Sequence, residues 1–402
     1  MGGRIEQAGW PVIVAPWLSS HLDAGGGRFE RNSARAALLD RVRSARTEAA
    51  NLRAAVPWDL ALLDPFLLWA YPMLAAVGPC AALSTKPLLT PDPLVPPWSS
   101  NLVPSDGIIG RAQTQAVWVQ ARLGYLGYRA RCQLDEWLKG WSHRSLANLC
   151  CKLSGHDRAD WACRPVPIDM RYRSAGELIL HAREFDLPRR APLEPGVAYL
   201  GPCLSARPLV APVRTRSADL PKLVCSLGTE MPEAQALSRY RAVVAAMNHL
   251  PDAQLVLSAG SPALAARLAE DAQRLGPRVR IAPWVDLRAE LAGAAVAILH
   301  GGANSAKEAI MARCPIVPLP ARADQPGIAA RIVFHGLGRM PAAIEPVAIA
   351  GTVAGMLQDP GLVISLDRMA TCFEGYDVDQ TASRIIEQLA LQRARSGPRS
   401  NS

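Results

Sequence analysis

Between residues 221 and 321, five short apolar runs alternate with helical patterns, and this alternation restricts the fold more than any other feature of the chain. The runs are "PKLVCSLGT" (221–229), "AQLVLSAGS" (253–261), "VRIAPWV" (279–285), "AAVAILHGG" (294–302) and "PIVPLPA" (315–321). Helical stretches stand among them: "EAQALSRYRAVVAAMNHL", "PALAARLAEDAQRL" and "SAKEAIMARC". Strands this short, separated by helices of ten to eighteen residues, predict βαβ units and a parallel sheet in an α/β architecture. Ligands of such sheets sit beyond the carboxyl ends of the strands, where strand hands over to helix. The least ordinary residues fall at those positions: Gly228, Thr229, Ser258, Gly260, Trp284, His300 to Ser305, Asp324 and Gln325.

The first half reads as a second α/β unit. "WPVIVAPW" (10–17), "DLALLDP" (59–65), "CAALST" (80–85), "GELILHAREFDL" and "GVAYLGPC" have strand character, and the Pro- and Ser-rich residues 86–108 read as loop. From Arg111 to about Cys151 runs an amphipathic, Arg- and Trp-bearing helical stretch. It reads as a packed helix pair, with a membrane-surface or acceptor-lining role as the alternative. A chain of 402 residues is long enough for two cores. The expected division is 1–205, a Pro- and Arg-rich linker at 206–220, 221–392, and a disordered tail at 393–402.

The formal net charge is +9, but Arg is dispersed rather than gathered into a run, so no nucleic-acid partner is expected. Nine cysteines without a C-x-x-C read as reduced thiols of a cytoplasmic protein. His143, Cys150, Cys151, His156 and Cys163 cluster in sequence, yet their spacing fits no common zinc pattern, and no metal is expected. Asp64, Pro65, Pro72 and Pro79 break the most apolar stretch (60–83), so a buried strand, turn and helix is expected there rather than a membrane span.

The segment "ILHGGANSAKEA" (298–309) carries the chemistry. An imidazole at a strand end, beside amides that Gly301 and Gly302 leave accessible, makes an anion site. Asn304 and Ser305 open the next helix, whose N-terminus adds partial positive charge. A diphosphate can be held there without a phosphate-loop lysine. The same letters also read as a capping box, with Ser305 at the N-cap and Glu308 reaching back to it. Alternatively, the Glu308 carboxylate, an acceptor-only group, suits the two hydroxyls of a ribose.

The series Trp284-Val-Asp-Leu-Arg, His300-Gly-Gly-Ala-Asn-Ser, Glu308, "PIVPLP" and Asp324-Gln325 resembles the nucleotide-sugar signature of family 1, UDP-glycosyltransferase-like enzymes of bacterial natural-product type. The resemblance covers roughly residues 195–345 and extends more loosely to "DLALLDPFLLWA" and "LSTKPLLTPDPLVPP". It implies a GT-B fold, two Rossmann-like domains facing across a cleft, the N-terminal one incomplete. It also implies a hexosyltransferase that uses a UDP- or TDP-sugar as co-substrate, with no cofactor, on a lipophilic small-molecule acceptor. Carried over, Trp284 stacks on the base, Val285 reads its edge, and Ser258 and Gly260 lie near it. His300, Gly302, Asn304, Ser305, Gly228 and Thr229 surround the diphosphate. Glu308 holds the ribose, and Asp324 and Gln325 the sugar. The family's Gly-His loop after the first strand is missing, because the chain opens at what resembles the end of the first helix. His21 is then the substitute base and Asp64 its orienting carboxylate. A sugar-nucleotide-binding protein without turnover is the alternative expectation.

Overall fold

The computed structural model describes residues 31–88, 90–157, 160–163, 170–204, 220–228 and 231–396. The expected strand at 10–17, His21, Thr229 and most of the expected linker lie outside them.

The second half forms the parallel sheet that its apolar runs predict. Strands β7 (Lys222–Ser226), β8 (Gln254–Ser258), β9 (Val279–Ala282), β10 (Val296–Leu299) and β11 (Ile316–Pro318) lie in the order β11-β10-β7-β8-β9. Successive side chains on a strand point to opposite faces, and here both faces are covered, which is why the strands are apolar throughout. On one face Leu223, Cys225, Leu255, Leu257, Val296 and Ile298 pack under helices α5 (Glu233–Ala246), α6 (Pro262–Ala272) and α10 (Pro346–Leu357). On the other, Val224, Ala297, Leu299 and Ile316 meet α8 (Ala303–Met311), α9 (Gln325–Phe334) and α11 (Pro360–Glu374), with Leu291 of α7 (Leu287–Leu291). The strand order reverses between β7 and β10, so the crevice of this doubly wound sheet opens there.

The first half carries a smaller parallel sheet in the order β1-β2-β5-β6, from β1 (Ala61–Leu63), β2 (Cys80–Ser84), β5 (Glu177–Ile179) and β6 (Val197–Tyr199). A separate antiparallel pair joins β3 (Trp161–Cys163) to β4 (Met170–Tyr172). One face of the four-stranded sheet packs beneath α1 (Arg31–Ala55), α2 (Tyr71–Ala75) and α4 (His143–Ser154), through Val42, Ala49, Met73, Leu74, Leu146 and Cys150. The expected helix pair is present as α3 (Gly107–Lys139) and α4. The break between them has a local cause. Gly140 ends α3 in the left-handed conformation, at φ 81°, and Ser142 starts α4 through a capping box with Ser145. Cys150 and Cys151 are buried free thiols, burial pushing that of Cys150 up to about 12, and His156 pairs with Asp160 at 2.7 Å.

The last helix, α12 (Val378–Ser396), returns to the first sheet, where Leu389, Ile385 and Ile386 pack on Ala81, Leu178 and Leu200. The sequence-based boundary at 392 therefore cuts a helix that runs to Ser396 and belongs by packing to the first half. Elsewhere the halves are joined by polar contacts, of which the Arg331–Asp186 pair is buried. Arg331 of α9 donates through Nε to Asp186 at 2.9 Å, and Lys307 of α8 donates to the Leu180 carbonyl at 3.1 Å. His335 Nε2 lies 3.1 Å from the Phe185 carbonyl, and Tyr376 donates its hydroxyl to Glu184 at 2.6 Å. Phe185 itself is part of the apolar cluster of the second half.

Candidate nucleotide-sugar site

The corner after β10 is built by three glycines around one ring. Gly301 has φ 80° and Gly228, which directly follows β7, has φ 76°; both lie where a side chain is strained. A Cβ on Gly228 would stand 3.1 Å from His300 Nε2, and one on Gly302 only 2.3 Å from it. The imidazole is therefore clasped between the ends of β7 and β10, at the reversal point of the sheet. A Cβ on Gly301 would come within 2.9 Å of the Gln325 carbonyl, which seats the start of α9 on the same corner.

The capping-box reading is corrected by the geometry. Helix α8 begins at Ala303 with Gly302 as N-cap, and no side chain caps it. The helix starts earlier than the letters suggest, directly after Gly301 and Gly302, and Gly301 takes the left-handed conformation. Ser305 is consequently the third helical residue rather than the cap, and Glu308 lies a turn deeper. The first amides of a helix have no intrahelical acceptor, so those of Ala303, Asn304 and Ser305, with no side chain capping them, suit an anion.

The neighbouring loops bring in the rest of the set. Gly260 donates its amide to the Pro283 carbonyl at 2.8 Å, and Ala259 to that of Ala282 at 2.9 Å. These bonds fasten the ends of β8 and β9 side by side, Trp284 next to Gly260. Trp284 is 61% exposed, an uncovered aromatic face beside a strand end, with Val285 half-buried after it. Ser258 is buried, and its carbonyl accepts the Tyr240 hydroxyl at 2.8 Å, while the Tyr240 hydroxyl oxygen accepts from the Leu227 amide at 3.0 Å. Tyr240 thus ties the ends of β7 and β8 together.

Asp286 starts α7 by accepting from the Ala289 amide at 3.2 Å. Glu308 is half-buried close to this turn. Burial raises its carboxyl above the usual carboxylate range, Arg288 opposes the rise and Asp286 adds to it. Asp324 and Gln325 open α9, and no side chain caps that helix either. The Gln325 side-chain oxygen accepts from the amides of Ala321 and Arg322, at 2.9 and 3.2 Å, folding the turn after β11 back onto it.

The described residues of the second-half set therefore gather around the carboxyl end of one sheet. Asp64 does not share that position. It is exposed at the end of β1, an edge strand of the other sheet, and its carbonyl accepts from the Leu67 amide at 2.8 Å, starting a 3-10 turn. Sequence reasoning missed Arg288, whose charge reaches Glu308, and Lys307, which turns from the signature helix into the joint between the halves. Burial lowers the Lys307 ammonium to about 8. A lone cation among Ala306, Ala309 and Ile310 was the available signal for it. Among the described residues, no three His, Cys, Asp or Glu side chains are grouped to hold a metal ion.

No protein-family profile matches the chain. It is 30% identical over 174 residues to a zeaxanthin glucosyltransferase of Pantoea ananas, covering 43% of this chain and 39% of that protein. The chain thus spans about two fifths of the length of that curated relative. Among solved structures, the calicheamicin glycosyltransferase CalG4 superposes with a TM-score of 0.60 at 18% identity, over 98% of this chain and 88% of that one. The glycosyltransferase VinC in complex with dTDP superposes with a TM-score of 0.55 at 15% identity, over 97% and 90%. Two parallel sheets meeting at their carboxyl ends give the chain the GT-B fold of these solved structures, and part of it is similar in sequence to a curated glycosyltransferase.

Proposed function

We propose that the chain moves a sugar from a UDP- or TDP-sugar to a hydroxyl of a lipophilic small molecule, with inversion and without a metal ion. One observation carries the reading: His300 and the start of α8 stand where the sheet order reverses, with Glu308 a turn along α8 and Trp284 and Asp324-Gln325 after other strand ends on the same carboxyl edge. The acceptor oxygen forms a bond to the anomeric carbon while the bond from that carbon to the diphosphate oxygen breaks. The electron pair stays on the diphosphate, where the helix terminus and His300 stabilise it. The acceptor proton goes to a base; His21, the candidate from the sequence, lies outside the described residues. The relatives' zeaxanthin and calicheamicin names support an acceptor of this broad kind.

Calorimetry with UDP and TDP, followed by turnover of labelled donor sugars, tests the reading. Binding with transfer to an added acceptor is the expected result. Binding with no transfer to any acceptor or to water supports the nucleotide-binding alternative instead. Activity is expected to survive a chelator, and strict dependence on added Mg²⁺ would overturn the metal-free mechanism.

Glu308→Ala is expected to weaken nucleotide binding by about 1–3 kcal/mol, the cost of removing a charged partner from ribose hydroxyls. Because the Glu308 carboxyl is raised, its acceptor form is lost on acidification at a pH above the usual carboxylate range. Wild-type affinity should therefore decline on lowering the pH, and Glu308→Gln should flatten that decline. An affinity unchanged by either substitution would remove Glu308 from the site.

A further inference from the structure

We propose that α3 docks the protein on an anionic lipid bilayer. The helix buries an unusual side of itself: Gly110, Thr114, Trp118 and Cys132 face the protein, and Trp118 donates to the Val95 carbonyl at 2.9 Å. The opposite side is apolar, and no described residue covers it. Ile108, Ile109, Val119, Leu123, Leu126, Leu134, Trp137 and Leu138 are all exposed, Ile108 by 86% and Trp137 by 63%. At 100° per residue they occupy one arc of about 120°, which also takes in the exposed Ala112, Ala116 and Ala130. At 1.5 Å per residue, the stripe runs for about 45 Å along the surface.

The charge beside this stripe specifies its occupant. Arg111, Arg122 and Arg129 line one border and Arg131 the other. The two acidic residues of the helix lie off the stripe, where Asp135 pairs with Lys139 at 2.8 Å and Glu136 accepts the Ser142 hydroxyl. A straight apolar ridge edged by guanidinium groups matches acyl chains below and anionic headgroups above. The helix lies on the bilayer rather than crossing it: no single helix among the described residues is long and apolar enough to span. The inference stands apart from the proposed chemistry, since it uses neither nucleotide nor turnover.

Co-sedimentation of the full chain with vesicles tests it. The chain is expected to sediment with phosphatidylcholine vesicles containing phosphatidylglycerol, and about tenfold less with phosphatidylcholine alone. Added salt should release it, because surface charges are screened. Arg111→Glu with Arg122→Glu should reduce binding by about tenfold or more. Leu123→Asp with Leu126→Asp should abolish it while leaving circular dichroism and the melting temperature unchanged. Three results would overturn the proposal: no sedimentation with any vesicle; loss of folding in the Leu123/Leu126 variant, which would mean the chain itself covers the face; or a wild-type dimer that this variant converts to monomer, which would mean a second copy covers it.

Discussion

Asp186→Ala is expected to lower the unfolding free energy by about 3–5 kcal/mol, as removal of one member of a buried ion pair does. Arg331 is 1% exposed, and Asp186 receives two of its nitrogens, with Arg189 and the Tyr199 hydroxyl also directed at the carboxylate. Without the carboxylate, the guanidinium stays desolvated and uncompensated between the halves. The double replacement Asp186→Leu with Arg331→Met should cost far less, because neither charge is then left in the joint. Urea unfolding of the single and double variants measures the difference, and equal losses would show that the pair is not coupled.

The pH dependence of this contact follows from the same charges. Burial works to raise the Asp186 carboxyl, but Arg331, Arg189 and the Tyr199 hydroxyl outweigh it and hold the group down to about 2. A carboxylate lowered by folding adds stability that is complete above its unfolded value of about 4. That contribution disappears as the pH falls through about 2. The gap between wild type and Asp186→Ala should therefore be constant at neutral pH and narrow only below pH about 4.

Gly302→Ala is expected to slow sugar transfer by about 10²–10³-fold, the loss seen when one preorganised donor to developing charge is removed. The backbone accepts the change, since Gly302 has φ −68°. The ring does not. The new Cβ would lie 2.3 Å from His300 Nε2, and Gly228 blocks retreat on the other side at 3.1 Å. The imidazole must leave its present position, the one proposed to face the diphosphate, so Gly302→Ala should behave as His300→Ala does. The double variant should be no slower than either single, which is the signature of two substitutions acting through one group. Stability should change by only about 1 kcal/mol, the usual range for exchanging an N-cap glycine. Single-turnover rates set beside melting temperatures make the comparison; additive rate losses would show that Gly302 acts through something other than His300.

The strands of the second half were legible because each is covered on both faces, so its apolar run needs no alternation to be recognised. The core of the site was legible for a related reason. His300, Gly302, Asn304, Ser305 and Glu308 belong to one strand-to-helix unit, and in a parallel sheet every such unit delivers its turn to the same edge. Trp284 and Asp324 follow neighbouring strand ends and arrive there by the same rule.

Sequence alone determined the parallel sheet and the residues that meet at its carboxyl end, because periodicity and chain order are enough to fix them. Tertiary structure decided three things that local patterns do not contain. The start of α8 directly after Gly301 and Gly302 removed Ser305 from the cap. Arg331 found Asp186, 145 residues away, and α12 found the first sheet; such partners are chosen by the burial of charge and apolar surface after the chain has closed. The orientation of α3 is the sharpest case. Its periodicity marks an apolar stripe, yet the side of Gly110, Thr114, Trp118 and Cys132 is the one turned inward. A stripe in a sequence tells which residues share a face, but only the shape of the surface beneath decides which face the protein covers.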